Sequence, residues 1–134
     1  MVLQNHLKVI DPHDARKVAY QAAEVLAEVK GKEILIIDFD GQSSLTDYFV
    51  IATGDSPVHM RALANRVNET LTSHRLKNGR AEGQESQNWI LLDYGTIVVH
   101  ILSRKAREYY AIDQLWGDAK AIPWTDESGQ PYWQ

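Results

Sequence analysis

A chain of 134 residues, 44% hydrophobic and 24% charged, suits one domain with a single core and is too apolar for a disordered tail. It contains no cysteine, which excludes disulfide scaffolds, zinc-thiolate sites and cysteine nucleophiles. With 14 basic against 18 acidic residues the formal charge is -4 and the pI about 5.7, which argues against general attraction to nucleic acid and leaves a basic protein partner compatible.

The charge is evenly spread, with seven basic and nine acidic residues on each side of the Val67–Asn68 bond. No apolar run approaches the roughly 20 residues of a membrane helix, and Asn5, His6 and Asp11 stand where a signal peptide would be apolar. The expectation is a cytoplasmic protein without a membrane anchor. Asp11-Pro12 reads as a helix start, with the aspartate as N-cap and proline in the first turn. Val18, Ala22, Val25 and Val29 form its apolar stripe, and Gly31 is placed for a left-handed C-terminal cap. Ile34 to Ile37 is a buried strand closed by the turn residues from Asp40 to Ser44, and Tyr48 to Thr53 is a second strand ending at Gly54. Ser56-Pro57 opens another helix with Met60, Ala64, Val67 and Leu71 on one face, expected to reach about Arg75.

Asn78-Gly79 marks a turn, and Ala81-Glu82 carries a short edge strand. Trp89 to Leu92 and Ile97 to Leu102 flank Asp93-Tyr94-Gly95-Thr96, which predicts a β-hairpin. Ser103 caps a basic turn from Arg104 to Tyr110, followed by an amphipathic turn with Ile112, Leu115 and Trp116. The expected organisation is an extension over 1–10, a domain over 11–120 and a tail over 121–134. The order of elements predicts an α/β (α+β) domain, a mixed sheet flanked by helices.

Four features bear on chemistry. Asp38 and Asp40 end the first strand, and strand alternation points both to one face, where Asp47 and Asp93 could help them hold a divalent cation for nucleotidyl or phosphoryl transfer; solvated acids at a strand end are the plainer reading. Gly54-Asp55-Ser56 joins a strand to a helix N-terminus, as a phosphate site would, yet a single glycine followed by an acid is a poor cradle and capping accounts for Ser56. His59 and His100 lack a neighbouring nucleophile motif; His100 should face away from Val99 and Ile101 as a hydrogen-bonded, partly buried side chain. Finally, Trp89, Tyr94, Tyr109, Tyr110 and Trp116 cluster in the hairpin and the helix after it, where a hairpin could present tryptophan and tyrosine together to a partner.

Several motifs in order then carry a resemblance: Ser43 to Gly54, Glu82-Gly83, Trp89 to Gly95, Val98-Val99-His100 and Arg107 to Trp116. Together they resemble the ribosomal silencing factor (Iojap, RsfS) family from about Val18 to Asp118. The resemblance implies a fold similar to a nucleotidyltransferase core without its active site. The order of motifs agrees, because that enzyme places its glycine-serine turn before its paired acids, whereas here Asp38 and Asp40 precede Gly54. It further implies a translational repressor, not an enzyme, with no catalytic residue, metal or other cofactor. Its partner would be the fourteenth ribosomal protein of the large subunit, and the small subunit would be blocked from joining. Organelle relatives act in large-subunit assembly, and members can self-associate, which allows a homodimer. The contact role carried over by resemblance falls on Trp89, Asp93, Tyr94 and His100 of the hairpin and on Arg107, Tyr110, Leu115 and Trp116 of the last helix.

Overall fold

A computed structural model describes residues 14–73, 80–82, 87–110, 119–125 and 127–130, with the backbone alone at 80–82 and 110. Helix α1 spans Ala15–Glu28, strand β1 Lys32–Asp38, β2 Tyr48–Gly54, helix α2 Pro57–Ser73, β3 Arg80–Glu82, β4 Trp89–Asp93, β5 Ile97–Ser103, helix α3 Arg104–Tyr110 and β6 Lys120–Ile122. The six strands form one mixed sheet in the order β3-β4-β5-β2-β1-β6, in which β2 and β5 run parallel at the centre and the other pairs are antiparallel. This is the mixed α+β sheet that the order of elements predicted.

The helices start where side chains satisfy the open N–H groups of their first turns. Asp14 accepts from the Lys17 N–H at 3.2 Å and caps α1, three residues later than the cap expected at Asp11, which lies outside the described residues. Ser56 accepts from the His59 N–H at 3.1 Å, and Ser103 from the Ala106 N–H at 3.0 Å, as read from the sequence. The end expected for α2 at Arg75, the turn at Asn78-Gly79 and the turn with Ile112, Leu115 and Trp116 also lie outside the described residues.

The end of α1 corrects the reading of Gly31. The left-handed residue is Lys30, at φ 68°. Its N–H donates to Ala27 O at 3.0 Å and the Gly31 N–H to Leu26 O at 2.8 Å, the paired bonds of a Schellman cap. Glycine is needed at 31 for space, since a Cβ there would stand 2.8 Å from Leu26 O.

Helices α1 and α2 pack side by side on one face of the sheet and bury the main core. Val18, Ala22, Val25 and Leu26 of α1 and Met60, Leu63, Ala64, Val67 and Leu71 of α2 meet Ile36, Val50, Ala52, Ile90, Leu92, Val99 and Ile101 of the strands. Gly54 lets α2 come this close, because a Cβ there would lie 2.7 Å from Met60 Cγ. On the other face α3 covers one end: Ala106 packs with Ile37, Ile51 and Leu102, and Leu35, Phe39, Phe49 and Trp89 border this smaller cluster. Among the described residues no other helix is packed on that face.

The stretch expected to be a tail begins inside this sheet. Lys120 to Ile122 pairs with β1, Ile36 facing Ile122, so the boundary drawn after residue 120 falls inside a strand. Ile122 and Trp124 pack against the main core.

Candidate functional site

The second face of the sheet is built by strand alternation. On β4, Trp89, Leu91 and Asp93 project to it; on β5, Val98, His100 and Leu102; on β2, Phe49 and Ile51; on β1, Leu35 and Ile37, with Phe39 just beyond. Trp89 is directly paired with Leu102, and His100 lies between Leu91 and Ile51.

Aromatic rings run across this face. Phe39 meets Phe49 edge to face at 4.9 Å, Phe49 lies 4.3 Å from the His100 ring, and the Trp89 ring is 5.8 Å from it on the other side. Trp89 Nε1–H donates to His100 Nδ1 at 3.1 Å. His100 is buried, and burial pushes its imidazole down to about 4, so it is neutral at physiological pH. Phe39, Phe49, Trp89 and Leu91 stay half-buried, an apolar strip with surface left to cover.

The structure separates the eight expected contact residues. Trp89, Asp93 and His100 share this face. Tyr94 does not: it is 6% exposed in the main core, on the helix side, where its OH donates to Asn68 Oδ1 at 3.0 Å. The joint presentation of Trp89 and Tyr94 is therefore corrected. Their separation by five positions, an odd number, carried that signal, since successive strand side chains point to opposite faces. Arg107 is also buried, 7% exposed, and donates to Thr53 Oγ1 at 3.0 Å, which fastens α3 to the end of β2. The Tyr110 side chain, Leu115 and Trp116 lie outside the described residues. Leu35, Phe39 and Phe49 were missed as site residues, although Phe49 and Ile51 alternate with Val50 and Ala52.

The acidic constellation has other employment. Asp40 has φ 51° and lies in the turn after β1, so strand alternation does not extend to it and the premise that paired it with Asp38 fails. Asp38 Oδ2 pairs with Arg16 Nη2 at 3.0 Å, and its Oδ1 accepts the Asp40 N–H at 2.8 Å. Asp93 Oδ1 accepts the Gly95 N–H at 2.8 Å and shapes the hairpin turn. Asp47 is exposed and its backbone bridges strands, donating to Thr96 O at 3.0 Å, while Thr46 turns inward to donate to Tyr48 O at 3.3 Å. Among the described residues no group of three or more His, Asp or Glu is arranged to hold a metal ion.

The turn at Gly54 is likewise occupied by its own chain. The Asp55 N–H donates to His59 Nδ1 at 2.8 Å, which leaves His59 Nε2 to donate to Val29 O at 2.7 Å. Ser56 takes the His59 and Met60 N–H groups. His59 thus staples the end of α1 to the start of α2, and the N–H groups of Asp55, His59 and Met60 are committed within the chain rather than left for a phosphate.

Comparison with known proteins rests on more than this face. The family model described as "Ribosomal silencing factor during starvation" matches residues 12–132, through the strand at 120–122 and beyond it. This chain belongs to the ribosomal silencing factor family. One relative, named ribosomal silencing factor RsfS, from Chromobacterium violaceum, is 36% identical over 119 residues, 84% of this chain and 98% of the relative. A crystal structure of a Chromobacterium violaceum protein is similar with a TM-score of 0.70 at 37% identity, covering 83% of this chain and 90% of that one. A mouse relative named mitochondrial assembly of ribosomal large subunit protein 1 is 26% identical over 95 residues, 69% of this chain and 42% of the mouse protein. The family's names describe regulation and assembly around the ribosome. No described helix is long and apolar enough to cross a membrane.

Proposed function

We propose that this chain is a cytoplasmic translational repressor without enzymatic activity that binds the large ribosomal subunit through its fourteenth ribosomal protein and sterically blocks joining of the small subunit. The observation that supports it best is the half-buried aromatic strip of Trp89, Phe49 and Phe39 on the sheet face away from α1 and α2. Large aromatics held on a rigid sheet are the kind of anchor from which a few residues supply most of an interface's free energy. A chain of net charge -4 suits a basic ribosomal protein, and its repulsion from RNA phosphates disfavours binding elsewhere on the subunit. Trp89 and Asp93 are the contacts we assign on this face, with His100 beneath them, and we assign a contact role to Tyr110, Leu115 and Trp116 as well. A second copy of the chain docked on the same strip would compete with the ribosome.

The test is sedimentation of purified protein with isolated large subunits, then addition of small subunits, at two salt concentrations. Comigration with fewer joined ribosomes is the expected result, and absence of comigration would sink the proposal. The name of the mouse relative supports a second reading, in which the same docking serves large-subunit assembly; comigration without blocked joining would favour it.

A further inference from the structure

His100 is 4% exposed, yet it lies on the face proposed to dock a partner. Its hydrogen-bonding state follows from one contact. An indole nitrogen only donates, so the 3.1 Å approach of Trp89 Nε1 makes His100 Nδ1 the acceptor. In a neutral imidazole the proton then resides on Nε2. That Nε2–H is buried and, among the described residues, meets no hydrogen-bond acceptor. Buried donors are almost always paired, and one left unpaired costs stability that the chain has not relieved by local design.

The surroundings define what would relieve it. Among the described residues two aromatic rings approach the imidazole, Phe49 at 4.3 Å and Trp89 at 5.8 Å, and both are only half-buried, at the surface that a partner would cover. Asp93, the carboxylate on the same face, is engaged through Oδ1 in the hairpin turn. A lysine or arginine from a basic partner has no acceptor to offer. A carboxylate would have to lose its hydration beside apolar rings in exchange for one uncharged donor. A main-chain carbonyl is neutral, accepts strongly and comes with every residue.

We propose that His100 Nε2–H is a recognition donor for a main-chain carbonyl of the docked ribosomal protein, reached when docking displaces the ring of Phe49 while Trp89 keeps its bond to Nδ1. This rests on the docking proposed above and deepens it. The aromatic strip supplies the area, and His100 supplies the register, since only a segment that presents a carbonyl between the two rings satisfies the buried donor. A partner surface of equal apolar area without that carbonyl leaves the donor unpaired and is rejected.

The experiment uses the full chain and the recombinant fourteenth protein of the large subunit. Histidine labelled with nitrogen-15 reports Nε2 directly by NMR: its proton resonance is expected to move downfield and its solvent exchange to slow on complex formation. Affinity gives the second readout. His100→Phe is expected to bind about five- to tenfold more weakly, the loss of one neutral hydrogen bond, with His100→Gln recovering part of it. If Trp89→Ala loses binding while His100→Phe binds as tightly as the natural chain, the carbonyl contact is wrong and the docking face stands. If Trp89→Ala also binds normally, the docking face itself falls. Should His100→Phe fail to fold, an Nε2–H resonance unchanged by the partner overturns the inference, because the Phe49 ring would then already serve as the acceptor.

Discussion

Trp89 and Tyr94 stand at the two ends of one short stretch of chain and point to opposite faces of the sheet. Trp89 is half-buried among Phe49, His100 and Leu102, and Tyr94 is 6% exposed beneath α2 with its OH on Asn68 Oδ1 at 3.0 Å. The two residues therefore make opposite predictions. Trp89→Ala should leave a folded protein and weaken binding to large subunits at least about 30-fold, the effect of removing an interface anchor. Tyr94→Phe should cost about 1 kcal/mol of stability by leaving the Asn68 carbonyl unpaired, with binding unchanged. Urea unfolding and sedimentation on the two variants check both. Exchange of the two effects would put the interface on the helix side.

His100 makes stability depend on acid. Its imidazole is near the usual 6.5 when unfolded and about 4 when folded, lowered by burial. Between those values the unfolded chain binds a proton that the folded chain refuses, so stability rises with pH across this window. The contribution is complete above about 6.5 and falls away as the pH drops toward 4, to a loss of about 2–3 kcal/mol at pH 4.5. Carboxylates titrate in part of the same range, so the measurement is a difference: urea unfolding at several pH values, natural chain against His100→Phe. The variant should lose less stability on acidification, and parallel curves would disprove the assignment.

What was legible in the sequence was whatever a local rule decides. Two apolar runs, Trp89 to Leu92 and Ile97 to Leu102, around the tight Asp93-Tyr94-Gly95-Thr96 connection specify the hairpin, and the serines at 56 and 103 specify two helix starts by capping. Lys120 to Ile122 escaped because three residues, two of them exposed, carry no period; only pairing with Ile36 to Asp38 makes them a strand. The pairing of Asp38 with Asp40 failed for the converse reason, since a positive φ at Asp40 ends the alternation on which it depended. At the site, Trp89 and His100 were readable as aromatic or polar departures from apolar strands. Phe39 and Phe49 were not, because a phenylalanine in a strand reads the same whether a helix or a partner covers it.

The end of α1 gives two neighbouring positions with effects of opposite sign. Lys30 holds φ 68°, a left-handed conformation that costs a side-chain-bearing residue roughly 1 kcal/mol. Lys30→Gly should therefore gain about 0.5–1 kcal/mol, a little of the relief being returned as lost backbone entropy. Gly31→Ala should lose about 1–3 kcal/mol, because its Cβ would lie 2.8 Å from Leu26 O and 3.3 Å from Leu63 Cδ2. Thermal unfolding of the two variants decides the matter. If Gly31 were the left-handed residue, Lys30→Gly would bring no gain.

Arg107 provides the last test, of a residue that belongs to the frame around the site. Its guanidinium is 7% exposed and donates to the buried Thr53 Oγ1 at 3.0 Å, linking α3 to the end of β2 beside Ala106 and Leu102. Removing the guanidinium leaves the threonine hydroxyl without this donor and opens space beneath α3. Arg107→Met is therefore expected to destabilise the protein by about 1–3 kcal/mol and to speed amide exchange in α3, with large-subunit binding lowered only as far as α3 loosens. Thr53→Val tests the link from the other end. If the bond carries the effect, the double variant should fall short of the summed single losses by about 1 kcal/mol, the coupling expected of residues in direct contact. Additive losses would mean that Arg107 holds α3 through its other contacts, and a large loss of binding in a fully stable Arg107→Met protein would return the residue to the docking surface.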